Sequence, residues 1–166
     1  KKSLKLDLSF FGENHPSVAS GYYNIGYVYF AQGDYSKALE YFEEVLKIRL
    51  SVYGENHSQV SSIYDHIGEI YFAQKDYSKA LYYFEESLKI RLSLFGENHP
   101  EVALSYYSIG SLYIIQGDKS KALNYYEKSL KIRLSVYGEN HPLTKEIMDL
   151  INVANSKVLQ SPETTK

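Results

Sequence analysis

The chain is built from a unit of 42 residues copied almost intact. Phe11-Gly12-Glu13-Asn14-His15-Pro16 returns as Tyr53-Gly54-Glu55-Asn56-His57-Ser58, then from Phe95 to Pro100, then from Tyr137 to Pro142, each copy 42 residues further on. Residues 11–52 and 53–94 agree at 29 of 42 positions, and residues 53–94 and 95–136 at 24 of 42. A period of this size calls for a stack of like supersecondary units, each leaning on its neighbours, and argues against one closed core. The 166 residues, one average domain by length, therefore divide into 1–10, three units (11–52, 53–94 and 95–136), a closing segment 137–159 and a tail 160–166. Residues 2–9 align with 128–135, so the chain is expected to begin on the end of the second helix of an earlier, partial unit.

Each unit reads as two amphipathic helices and two breaks. Pro16 suits the first helical position, where a missing N–H costs nothing, and Asn14 and His15 precede it where a capping acceptor is wanted. Tyr22, Ile25, Gly26 and Tyr29 fall at i, i+3, i+4 and i+7, one stripe of a helix. Gly33 suits a left-handed helix end, and Asp34 caps the next helix. Ala38, Phe42, Leu46 and Leu50, at spacing four, form the expected stripe of that second helix, which Gly54 ends. Neither helix can bury its stripe alone, whereas stacked hairpins can. Gly26 and Ala38 are expected where the two helices cross, with Phe42 filling the space beside them.

Tyr22, Ile25, Gly26, Tyr29, Gly33, Tyr35, Ala38 and Phe42 resemble the tetratricopeptide signature, although that repeat has 34 residues. The longer period, with Gly-Glu-Asn-His-Pro before the first helix and Leu-Lys-Ile-Arg ending the second, is similar to the kinesin light chain type. The resemblance spans residues 1–156 and implies an all-α, right-handed superhelical solenoid of antiparallel helix hairpins. Its elements are a partial N-terminal helix, three full repeats and a C-terminal capping helix. In the fourth copy Asn152 replaces Gly26, Gly68 and Gly110, and Asn155 replaces Tyr29, Tyr71 and Tyr113. That segment keeps one apolar stripe, Leu143, Ile147, Leu150, Ile151, Ala154 and Val158, as a cap with a polar outer side does.

The resemblance also implies that the first helices line a concave groove that holds a peptide. Its positions are Ser20, Tyr23, Asn24, Tyr27 and Phe30; then Ser62, Asp65, His66, Glu69 and Phe72; then Leu104, Tyr107, Ser108, Ser111 and Ile114. The three first helices carry no Lys or Arg but do carry Asp65, Glu69 and Glu101. An aromatic, mildly acidic face suits a peptide with basic and apolar side chains. Kinesin light chain repeats grip the peptide backbone with paired Asn, of which Asn24 alone survives here, and the absence of Lys from the strip argues against a carboxylate clamp. Tyr23, Tyr27 and Tyr107 are the rings to which the repeat assigns no core duty.

Other recurrent residues have structural readings. Lys47 and Arg49, Lys89 and Arg91, and Lys131 and Arg133 stand near helix C-termini, where cations are favoured, with Glu43, Glu85 and Glu127 four residues before each Lys. His15, His57, His99 and His141 recur in register, but stacked helices lie about 8–10 Å apart, too far for equivalent histidines to share one zinc ion. His66 stands alone in the groove. No phosphate loop, nucleophile elbow or metal cluster is present, so neither catalysis, cofactor nor metal is expected.

Composition agrees with this. The chain has no Cys, which excludes disulfides and thiol chemistry and fits a cytoplasmic setting. A net charge of −2 argues against a phosphate-driven nucleic-acid binder, and no apolar run reaches the ~20 residues that span a bilayer. The 18 Tyr follow largely from copying a Tyr-rich unit. The expected role is a non-catalytic scaffold or adaptor module binding a protein or peptide partner in the groove, as a monomer or weak end-to-end oligomer. The alternatives are a self-assembling array stacking head to tail and a sensor array of a larger signalling protein.

Overall fold

A computed structural model describes residue 12 and residues 14–156. The partial helix expected over 1–10, Val158 and the tail over 160–166 lie outside the described residues. Among the described residues the regular structure is helical: α1 (Pro16–Ala31), α2 (Tyr35–Tyr53), α3 (Ser58–Ala73), α4 (Tyr77–Phe95), α5 (Pro100–Gln116), α6 (Lys119–Tyr137) and α7 (Pro142–Ser156). The chain divides into two compact units, Lys1–Leu94 and Phe95–Lys166.

The histidine before each first helix is its cap. Nδ1 of His15, His57, His99 and His141 accepts the backbone N–H two residues on, at 3.1, 3.1, 3.2 and 3.3 Å. Three of these rings also stack on the aromatic residue four before them: His57 on Tyr53, His99 on Phe95 and His141 on Tyr137, with centroids 4.3–4.5 Å apart. The second helices start on Asp34, Asp76 and Asp118, whose carboxylates accept from the backbone N–H of Lys37, Lys79 and Lys121.

The same three lysines tie the hairpins. Each pairs with its capping Asp at 2.6–3.3 Å and lies over the ring of Tyr29, Tyr71 or Tyr113 at 4.8–5.1 Å. Those rings in turn stack on Tyr41, Tyr83 and Tyr125 of the second helices, with centroids 5.5–5.7 Å apart. The close crossing expected at the first-helix glycine is present. A Cβ on Gly68 would stand 2.7 Å from the Phe84 ring, and one on Gly110 2.7 Å from Tyr126.

In the first unit the core gathers Val18, Ala19, Ala38, Phe42, Val45, Ile48, Ile63, Ile67 and Ile70. The second unit buries Val102, Ala103, Ile109, Leu112, Ala122, Tyr126, Ile132, Ile147 and Ala154. The second-helix stripe needs correction. Leu46 and Leu50 are only half-buried, and the inward positions are Ala38, Phe42, Val45 and Ile48. In α7, Leu143 is exposed while Thr144 is buried.

Candidate functional site

The strip expected to hold a peptide consists of the first-helix positions that hairpin packing leaves over. In the first unit Ser20, Asn24, Tyr27 and Glu69 are exposed, with Tyr27 52% exposed. Phe30 and Phe72 are half-buried beside Tyr35 and Tyr77 at hairpin turns, with centroids 5.9 Å apart in each pair. In the second unit Leu104 and Ile114 are exposed and Ser108 is half-buried. Ser111 donates to the Tyr107 carbonyl at 3.0 Å and shares a 3.1 Å hydrogen bond with the Tyr126 hydroxyl.

Several strip residues turn out to be structural. Tyr23, expected to be idle in the core, sets its edge against Phe42, and its hydroxyl lies 3.0 Å from Nε2 of His66. His66 stacks on Phe42 and sets Nδ1 3.2 Å from Glu69. It is thus a packed bridge between α1 and α3, where a lone groove histidine was expected. Tyr107 donates its hydroxyl to Glu146 at 3.1 Å and packs against Tyr126. Of the three tyrosines singled out by sequence, Tyr27 alone is exposed.

The basic ladder also divides. Lys47 and Lys89 are exposed and pair with Glu44 and Glu86 at 3.8 and 3.7 Å, one residue nearer than the spacing of four expected. The arginines turn inward. Arg91 and Arg133 are 5% and 4% exposed. Arg91 meets Asp65 at 2.7 Å. Arg133 donates to the Leu143 carbonyl at 2.6 Å, meets Glu146 at 3.5 Å and lies over the Tyr107 ring. Asp65 is therefore spent on Arg91, which removes one of the acidic charges assigned to the groove. Burial raises its carboxyl above the usual value, against the pull of Arg91. The ladder's inward turn was readable: Ala38, Phe42, Val45 and Arg49 fall at i, i+4, i+7 and i+11, on one face.

Among the described residues, no group of three or more His, Cys, Asp or Glu could hold a metal ion, and no helix is long and apolar enough to cross a membrane.

Comparison with known proteins agrees with the architecture. A family model for the tetratricopeptide repeat matches residues 1–51, 18–93 and 59–135. BtubC (BKLC) from P. vanneervenii is 21% identical with a TM-score of 0.70, over 92% of this chain and 69% of that one. Kinesin light chain repeats from Podosopora anserina, described as nearly identical and tetratricopeptide-like, are 17% identical with a TM-score of 0.71, over 95% and 84%. The apo form of RapI is 21% identical with a TM-score of 0.77, over 93% of this chain and 54% of that one. No curated protein matches. With its 42-residue period, histidine-capped first helices and glycine-to-ring crossings, the chain belongs to the tetratricopeptide repeat family.

Proposed function

We propose that the chain is a non-catalytic protein-interaction module whose first helices hold a peptide segment of a partner. The carrying observation is the division of labour around α1. One side of the helix is consumed by packing, at Val18, Ala19 and Gly26, while Ser20, Asn24 and Tyr27 stay exposed. A large ring beside an amide is a fitting contact for a peptide: the ring supplies area at low entropic cost, and the amide can pair with a peptide backbone. The corresponding positions of α5 offer Leu104, Ser108 and Ile114.

The test starts from peptides selected on the wild-type chain from a random display library. Asn24→Ala with Tyr27→Ala, two exposed changes, is expected to weaken the selected peptides at least tenfold while leaving the melting temperature in place. Undiminished binding by the double variant would place the interaction elsewhere. Replacing Tyr23 or Phe30 is a poorer test, since both rings also pack against the hairpin.

A further inference from the structure

The three inward arginines occupy equivalent places, 42 residues apart, but among the described residues two meet a carboxylate and one does not. Arg133 has three contacts: the Tyr107 ring at 5.0 Å, the Leu143 carbonyl and the Glu146 carboxylate. Arg49 has the equivalents of the first two. It lies over the Tyr23 ring at 5.8 Å and donates to the Gln59 carbonyl at 2.8 Å. The equivalent of Glu146 is Ser62, whose side chain carries no charge. Asp65, which neutralises Arg91, has Tyr23 as its equivalent. Arg49 therefore has no carboxylate partner among the described residues.

An open cleft of about 280 Å³ lies there, lined by Tyr23, Arg49, Ser58, Gln59 and Ser62. Tyr23 and Ser62 belong to the strip proposed to hold the peptide. A half-buried guanidinium with free donors, beside two serine hydroxyls, is built for a planar anion. Burial disfavours its charge, which an arriving carboxylate would offset.

We propose that Arg49 receives an aspartate or glutamate side chain of the partner peptide, which takes the place that Glu146 fills for Arg133. This rests on the peptide-binding reading and reverses the charge that the bare sequence assigned to the partner. A carboxylate is favoured because both sister arginines are matched by one.

The probes are the peptides selected on the wild-type chain. They are expected to share an acidic residue, and changing it to its amide should weaken binding about tenfold or more, as for a charge-assisted hydrogen bond. Ser62→Glu supplies the internal carboxylate. In that variant the acidic and amide peptides should bind alike, with a melting temperature no lower than wild type. Selected peptides that depend on Tyr27 but share no acidic residue would overturn the carboxylate site and leave the peptide-binding reading intact. Failure to select any peptide would overturn both. Inorganic phosphate that binds through Arg49 where the acidic peptides do not would overturn it in favour of a phosphate site. Self-association lost in Ser62→Glu would overturn it in favour of a second copy.

Discussion

A single methyl group at Gly68 would stand 2.7 Å from the Phe84 ring, so Gly68→Ala is expected to destabilise the chain by about 1–3 kcal/mol in denaturant titration, as overpacking does. Asp65 works by charge where Gly68 works by space. Asp65→Ala removes the carboxylate that meets the buried Arg91 guanidinium at 2.7 Å and is expected to destabilise the chain by about 1–3 kcal/mol by the same measurement. The acid limb is informative about these carboxylates. Burial raises the Asp65 carboxyl, so the folded state takes up that proton first, and this group's contribution falls as pH rises from the ordinary carboxylate value to the raised one. Asp34, held low chiefly by its hydrogen bond with the Lys37 side chain, and Asp118, held low chiefly by the Lys121 backbone N–H, act in the opposite sense. Their contribution is present above the ordinary value and is lost as pH falls through the lowered one. At this scale the sequence was a partial guide. Copying a unit explains the tyrosines, because Tyr29, Tyr41 and their counterparts stack in each hairpin. It could not reveal that Tyr23 and Tyr107 reach partners 43 and 39 residues away, His66 and Glu146, since that depends on how neighbouring helices are set.

At the scale of the element, helix ends were the most legible feature, because capping is local chemistry written in adjacent residues. Pro16, Asp34 and Gly54 mark boundaries that the structure keeps within one residue. The buried stripe of α2 was less legible for a geometric reason. A helix turns about 100° per residue, so a strict spacing of four drifts about 40° a step, and Leu50 ends about 120° round from Ala38. Steps of four and three hold the face, which is why Val45 is buried and Leu46 only half so. One connection departs from its fellows. Lys75 takes a positive φ, 64°, where Gly33 and Gly117 take 77° and 82° in the other hairpins. A left-handed residue with a side chain pays roughly 1–2 kcal/mol, partly offset by the entropy glycine brings to the unfolded chain, so Lys75→Gly is expected to stabilise by about 0.5–1 kcal/mol. A raised denaturation midpoint with unchanged slope is the expected record of it.

At the scale of the whole molecule, fold and function part company. Periodicity made the all-helical repeat architecture readable, whereas the charge of the first-helix strip was not, because Asp65 meets Arg91 inside the fold. Asp65 looked like a groove acid and serves Arg91, while Arg49 looked like one of three equal cations and is the one of the three that meets no carboxylate among the described residues. On α7 the positions of the earlier glycine and tyrosine are the exposed Asn152 and Asn155, a polar face unsuited to receiving another hairpin. The chain is accordingly expected to sediment as a monomer at all accessible concentrations, and a mass that rises with concentration would favour end-to-end stacking. Chemical-shift mapping of the isotope-labelled chain against a selected peptide distinguishes the proposed first-helix strip from every other surface. Shifts are expected to concentrate on Asn24, Tyr27, Ser62 and Glu69 of the first unit. Shifts confined to the second helices, around Lys47, Lys89 and Lys131, would contradict the proposed strip.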